Sequence, residues 1–528
     1  MSAPTLLSDR YWENFRLSEN DIEFLYQYLI ERAEPLPATE LAEALIRERI
    51  RQERQRIENE RQQSDGIYMP RERYEVGQVL LFPLLGWQKG RVVAVRPGRP
   101  PEDLPPFSVI RVHFDDGTER EFAMDYPDHP LNQHPWGYEA ALDETRVLSQ
   151  YRDSIARAIE ETLERREDFA RGARRWFPRG MLADINEAHL NLAEAVLYTY
   201  KDQGPQPTRA ILQAIDDLPD DPLTVFALDL AMQRDPRFDE VGPTGQVLWY
   251  LRELEPEGVR ETPRWLRYRP VAYDQTQIPE ALRELEVRLG DELSPEEVQD
   301  QMATQVADQN EVEWVLIYPH WRAGTLPLSG RLRHLFPTAS GAERVYFTFV
   351  DADTGQTFPG WVVRPGRYVY GLGEWYRRKG LFPGARVWVR KGPQPDQVII
   401  QARTHRPNRE WVRVAQVGAD GRLHISTHAV PVVADYEEHM AFVVPNPEAL
   451  DVVWDRVQHE KLPIENLLVS FMRELAKLTP QAHVDAAELY AAFNLVRRSP
   501  PGPIFALLAT RPWFEHVGDT YYRLRNAE

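Results

Sequence analysis

The chain has 528 residues, a net charge of −19, 42% hydrophobic residues, 14 Trp, 22 Tyr and no Cys. That apolar mass excludes wholesale disorder, and the length exceeds what one hydrophobic core organises, so several domains are expected. The lack of Cys excludes disulfides, thiolate nucleophiles and Cys-ligated metals.

No run of 18 or more apolar residues occurs, and MSAPTLLSDRYWENF has neither the basic flank nor the apolar core of a secretory signal. A cytoplasmic protein without membrane contact is expected. Six Lys stand against 57 Arg, beside 43 Pro, which is a bias of composition that says little about mechanism. The anionic total disfavours nucleic acid on average, but it hides two islands. Residues 322–409 hold 15 Lys and Arg against five acids, and residues 184–261 hold 16 acids against six bases.

In chain order, residues 1–70 predict a helical segment. Ser18 is placed to cap a first helix with Asp21 three residues on, Ile22, Leu25, Tyr26 and Leu29 form an apolar stripe, and Pro35 and Pro37 separate a second helix. The later half of that second helix alternates Arg with Glu, as a solvated helix laced by pairs four apart would. Residues 71–135 carry about five short runs rich in Val and Leu, with Asp116 and Gly117 as a hairpin turn in FSVIRVHFDDGTEREFAM. This pattern resembles SH3-like barrels of the Tudor and KOW type. Residues 136–183 read as a charged helical connector.

Residues 184–270 hold three predicted helices and then RDPRFDEVGPTGQVLW. That idiom returns near the other end as TRPWFEHVGDTYYRLR, where Pro236, Phe238, Val241, Gly242 and Thr244 recur as Pro512, Phe514, Val517, Gly518 and Thr520. Three helices again precede it within residues 451–528. Three helices and a two-stranded hairpin make the winged-helix plan, with Phe238 and Phe514 under the wing and Gly242 and Gly518 at its turn. Between the copies lie a polar, acidic helical linker (residues 271–312) and a strand-rich, basic β-barrel or sandwich (residues 313–450). The expected fold class is therefore α+β and multi-domain: winged-helix modules, a small SH3-like β-barrel and a larger β-barrel or sandwich domain.

Over residues 184–268 and 463–526 the chain resembles the HARE-HTH winged-helix family, which includes the N-terminal domain of the bacterial RNA polymerase delta subunit. The matching features are the apolar third helix, the Phe before the wing, the Gly at the turn and the aromatic final strand (Trp249, Tyr250; Tyr521, Tyr522). The first copy departs by three extra residues between FAL and the shared Pro. The resemblance implies binding to protein partners such as RNA polymerase. GLGEWYRRKGLFPGARVWV is similar to the closing half of plant-type DNA-binding pseudobarrels, which implies contact with double-stranded DNA.

No Walker A, GxGxxG, GxSxG or HExxH pattern occurs, so no catalytic residue, metal or cofactor is assigned. His424 and His428 fall on a predicted strand, Gln401 stands where a nuclease core needs a carboxylate, and Asp115 and Asp116 read as turn residues. The candidate nucleic-acid-binding residues are Arg331, Arg333, Arg364, Arg367, Arg377, Arg378, Lys379, Arg386, Arg390 and Lys391, interleaved with Trp375 and Tyr376 and with Tyr368, Tyr370 and Trp388. Arg suits bidentate contact with phosphate or guanine, and aromatics stack on bases. The third helices lack base-reading donors, leaving Arg497 and Arg498 as the phosphate contacts of the C-terminal copy. The expected function is that of a non-enzymatic bacterial protein of transcription or chromosome organisation, its β-domain on DNA and its winged helices on proteins. The alternatives are a protein-interaction scaffold whose acidic and basic islands pair with each other, and an accessory component of a restriction or defence system.

Overall fold

The computed structural model describes residues 7–99, 106–132, 142–339 and 341–525. The start of the stretch read for a secretory signal and the expected boundary at residues 135 and 136 lie outside the described residues. The chain is mixed α and β and divides into two units, Met1–Ile185 with Leu218–Leu230, and Asn186–Asp217 with Ala231–Glu528. No helix among the described residues is long and apolar enough to cross a membrane.

In the first unit, Ser18 opens helix Glu19–Arg32 with a reciprocal capping box: its side chain accepts from the Asp21 amide while Asp21 accepts from the Ser18 amide. Ile22, Leu25 and Leu29 are buried by that helix, and Leu41, Leu45, Ile46 and Ile50 by helix Ala38–Gln62. The Arg–Glu lacing of the longer helix includes three-residue spacings, Arg51 to Glu48 and Arg56 to Glu53, both at 2.7 Å. The segment read as a connector is instead part of the core. Helix Glu144–Leu163 buries Val147, Tyr151, Ile155, Ile159 and Leu163 in the same cluster. Four-residue strands Phe169–Gly172 and Arg175–Pro178 follow it as an antiparallel pair. A charged helix with one apolar stripe has one face for water and one for burial, and the stripe decided the outcome here.

A five-stranded sheet of the same unit runs in the order Gly66–Ile67, Val79–Phe82, Gln88–Pro97, Ser108–Phe114 and Glu119–Met124. Ile110, Val112 and Phe114 alternate with exposed partners and join Tyr68, Phe82 and Val92 in a separate core. The expected turn forms at Asp116, which accepts from the amide and hydroxyl of Thr118, and at Gly117 with φ +81°.

The repeated idiom belongs to a repeated order of elements. One copy comprises helix Glu187–Thr199, strand Gln206–Pro207, helices Thr208–Leu212 and Pro222–Arg234, and strands Phe238–Glu240 and Leu248–Leu251. The other comprises helix Ile464–Ala476, strand Val484–Asp485, helices Ala486–Phe493 and Pro501–Thr510, and strands Phe514–Gly518 and Tyr521–Leu524. In each the last strand lies in the middle of a three-stranded sheet. The copies differ in the third helix: Leu218–Leu230 belongs to the first unit, whereas Pro501–Thr510 lies in the core of the second. Phe238 and Phe514 are both buried, but the glycines serve different needs. A Cβ on Gly242 would sit 2.2 Å from the Gln246 carbonyl oxygen, whereas Gly518 meets nothing and needs its φ of +129°.

Between the copies runs a seven-stranded sheet, edge to edge Glu311–Val315, Arg386–Lys391, Gln397–Gln401, Arg344–Asp351, Thr357–Val363, Tyr368–Tyr370 and Thr325–Pro327. It is antiparallel except where Arg344–Asp351 meets Gln397–Gln401. The supposed linker is core as well. Helices Glu280–Leu289 and Glu296–Gln305 bury Leu282, Leu285 and Met302, and the acids Glu286, Asp291 and Glu292 are buried with them. Polar composition suggested an acidic linker because Arg498, the partner of Asp291 and Glu292, is distant in sequence.

Candidate nucleic-acid interface

Eight of the ten predicted cations are engaged by other groups of the chain. Trp375 and Tyr376 lie on helix Gly373–Lys379 with their rings in the core, 0% and 1% exposed, and cannot stack on a base. Tyr376 donates its hydroxyl to the Thr325 carbonyl at 2.8 Å, and burial holds that hydroxyl well above the usual phenol range. A Trp-containing helix does lead into strand Arg386–Lys391, but the ring anchors the helix. Lys379 lies between Asp351 and Asp353 at 3.1 and 2.7 Å, and Arg386 between Glu313 and Glu437 at 2.8 and 2.5 Å. Arg331, Arg364 and Arg367 donate to backbone carbonyls, of Arg288, of Ala339 and Ala342, and of Glu292 respectively. They bind segments of the chain together. Arg333 meets Asp300 at 3.4 Å, Arg377 is 77% exposed beside Glu374, and Arg378 donates to Gln356. Of the ten, Arg390 and Lys391 are exposed without an ion pair or side-chain hydrogen bond among the described residues.

Arg390 leads to a surface that the sequence did not single out. Strands Thr404–Val417 and Leu423–Ala434 form a long antiparallel arm, two-stranded except at Arg413 and Val414, where Phe442–Val443 adds a third, parallel strand. Thr404 pairs with Ala434 and Asn408 with Val432, so three residues on one strand stand against one on the other and His405, Arg406 and Pro407 are left outside the ladder. Pro407, with no amide hydrogen, fits such an unpaired position. Residues 403–409 are all exposed, and Arg403, Arg406 and Arg409 form no ion pair among the described residues. The Arg403 guanidinium lies 4.2 Å from the centre of the Trp388 ring, on the strand that also carries Arg390. Beyond Arg409, Trp411 is 75% exposed while its neighbour Val412 faces a small core with Phe382, Val432 and Ala441. Alternation along the strand presents the one ring and buries the other side chain. Midway along its strand Arg413 bonds Glu488 and the Glu438 carbonyl, and at the hairpin turn the Gly421 carbonyl accepts from Arg456, so the exposed stretch lies at the open end of the pair. The detectable signal was the RTHRPNR stretch, three arginines at three-residue spacing interrupted by a proline.

Elsewhere the structure pairs charge inside the second unit. Arg344 reaches Asp239 at 2.7 Å and Glu255 at 3.7 Å, joining the basic sheet to the acidic region. Burial and the neighbouring Asp239 push the Glu255 carboxyl up to about 8. Arg498, expected as a phosphate contact, has no solvent exposure in its side chain. It grips both oxygens of Asp291 at 2.7 and 2.8 Å and Glu292 at 2.8 Å. Tyr490 donates to Asp291 at 2.5 Å, and His320 Nε2 lies 3.2 Å from Glu292. Arg497 donates to the Leu462 carbonyl at 2.6 Å and is half-buried. Helix Pro501–Thr510 is buried over most of its length, which leaves it no groove-reading face.

His424 and His428 lie on the strand Leu423–Ala434, as expected, and bond Asp420 and Ser426 respectively. No protein-family model, curated protein or solved structure matches the chain.

Proposed function

We propose that the chain is a non-enzymatic DNA-associated protein that grips duplex DNA with the Thr404–Val417 and Leu423–Ala434 arm. The observation that carries this reading is a continuous exposed run in which Arg403, Arg406 and Arg409 form no ion pair among the described residues, together with an open Trp411 ring and with Arg390 and Lys391, exposed on strand Arg386–Lys391. A two-stranded ribbon fits the major groove, guanidinium forks suit phosphates, and an exposed indole is free to stack. On a chain of net charge −19, a cationic arm orients approach by one face and the anionic remainder repels the duplex. The two repeated element sets follow the winged-helix order, and the five-stranded sheet with its own core suits an SH3-like barrel. Winged helices of the HARE-HTH kind would recruit protein partners such as RNA polymerase, a role that suits Leu192 and Tyr198, exposed on helix Glu187–Thr199.

The test is fluorescence anisotropy of a labelled duplex with the full chain. If all five cations meet phosphates, log K falls with log salt at a slope of about −4.5, about 500-fold between 50 and 200 mM salt. Charge reversal at Arg403, Arg406 and Arg409 leaves a slope of about −1.8 or abolishes binding. Undiminished binding by that variant, or none by the wild type at 50 mM salt, would overturn the proposal. The pairing of Arg344, Lys379 and Arg386 with carboxylates favours a second reading, a protein-interaction scaffold without nucleic acid. Absence of DNA binding in the same assay would select it.

A further inference from the structure

A cleft of ≈ 470 Å³ opens in the second unit between residues 269–277, the end of helix Pro447–Glu460, the start of helix Ile464–Ala476 and helix Pro501–Thr510. The volume is that of a small-molecule site. Its walls divide by chemistry: Val457, Ala506 and Leu507 are apolar, while Arg269, Lys461, Arg497 and Arg511 bring positive charge.

The two carboxylates of the lining are already engaged. Glu465 accepts from Arg511 at 3.2 Å, and Asp274 accepts from the amide and hydroxyl of Thr276 at 2.9 and 2.7 Å. Arg269, Lys461 and Arg497 therefore face the cleft without an ion pair among the described residues. Arg497 is fixed by its bond to the Leu462 carbonyl, and half-burial and then the nearby charge of Arg269 pull it below the usual guanidinium range. Holding two like charges together in a half-buried cleft is unfavourable, and an anion between them reverses the sign of that interaction. The first amides of the 13-residue helix Ile464–Ala476, which have no intrahelical acceptor, begin on the same wall.

We propose that this cleft binds a small organic anion, with its carboxylate or phosphate between Arg269 and Arg497 and its apolar body against Val457, Ala506 and Leu507. The site is separate from the arm and does not depend on the DNA-binding role. Isothermal titration calorimetry of the full chain with phenyl phosphate, benzoate, inorganic phosphate and phenol tests it. Phenyl phosphate or benzoate saturates the protein, and the better of the two identifies the head group. Inorganic phosphate binds at least about tenfold more weakly, and phenol does not bind. Arg269→Ser, at an exposed position whose loss leaves no internal partner unpaired, weakens binding at least about tenfold. Leu507→Glu, which sets a carboxylate on the apolar wall, abolishes it, with a calorimetric melt confirming that each variant is folded. No heat from phenyl phosphate or benzoate up to about 10 mM overturns the proposal. So does equal binding by folded Arg269→Ser, or inorganic phosphate as tight as phenyl phosphate.

Discussion

Replacing Arg498 by Met removes the guanidinium that faces both Asp291 and Glu292 while keeping a side chain of similar length. The two acids are then left in the core with the Tyr490 hydroxyl, 2.5 Å from Asp291, and His320, 3.2 Å from Glu292. Breaking a buried pair costs about 3–5 kcal/mol, and because two carboxylates depend on this one cation the upper end, about 5 kcal/mol, is expected near pH 7. Burial alone raises the Glu292 carboxyl, but Arg498 and His320 outweigh it and hold it well below the ordinary range. A carboxyl lowered in the folded state contributes stability that is complete above its unfolded value and lost as pH falls towards the folded one. Without Arg498 burial prevails, the folded Glu292 carboxyl rises above its unfolded value, and the variant recovers stability as it protonates. The destabilisation therefore shrinks between about pH 7 and about pH 4.5. Urea unfolding followed by circular dichroism at both pH values measures it. A loss below about 1 kcal/mol, or one equal at the two pH values, would refute the account of the buried network. Arg498→Met combined with Asp291→Asn and Glu292→Gln recovers much of the loss, because no uncompensated charge remains.

Glu286 shows the opposite sign: desolvation pushes its carboxyl up to about 7 despite a 2.8 Å bond from the Ser294 hydroxyl. Its burial then costs stability progressively as pH rises from its unfolded value to about 7. Glu286→Gln is expected to stabilise the chain by on the order of 3 kcal/mol at about pH 8 and by little at about pH 4.5, read from urea midpoints; equal effects at both would contradict this. Gly242→Ala drives a Cβ to 2.2 Å from a backbone oxygen, whereas Gly518→Ala strains only φ. Thermal melts should show a loss of about 1–3 kcal/mol for the first and about 1–2 for the second, and a larger loss for Gly518→Ala would refute the different roles assigned to the two turns.

Features governed by neighbours in sequence were legible. Ser18 and Asp21 cap a helix across three residues, Asp116 and Gly117 turn a hairpin, and residues 110–114 alternate between core and solvent. The idiom shared by residues 234–249 and 510–525 is matched by a repeated order of elements. The candidate site was legible only in part. A string of Arg, Trp and Tyr in one dimension gave no indication that Trp375 and Tyr376 turn inward or that Lys379 is held by Asp351 and Asp353. Counting charge located the basic island but not the arm, whose exposure depends on Val412 and Val432 packing on Phe382.

Local order, the turn glycines and the acidic and basic islands were thus determined by the sequence itself, since capping, alternation and composition act over a few residues. Which cations stay free was decided by the tertiary structure alone. Arg498 and Asp291 are 207 residues apart and Arg344 and Asp239 are 105 apart, yet each pair meets within hydrogen-bonding distance. Electrostatic partnership depends on proximity in space and on exclusion of water, and both arise only when distant segments pack.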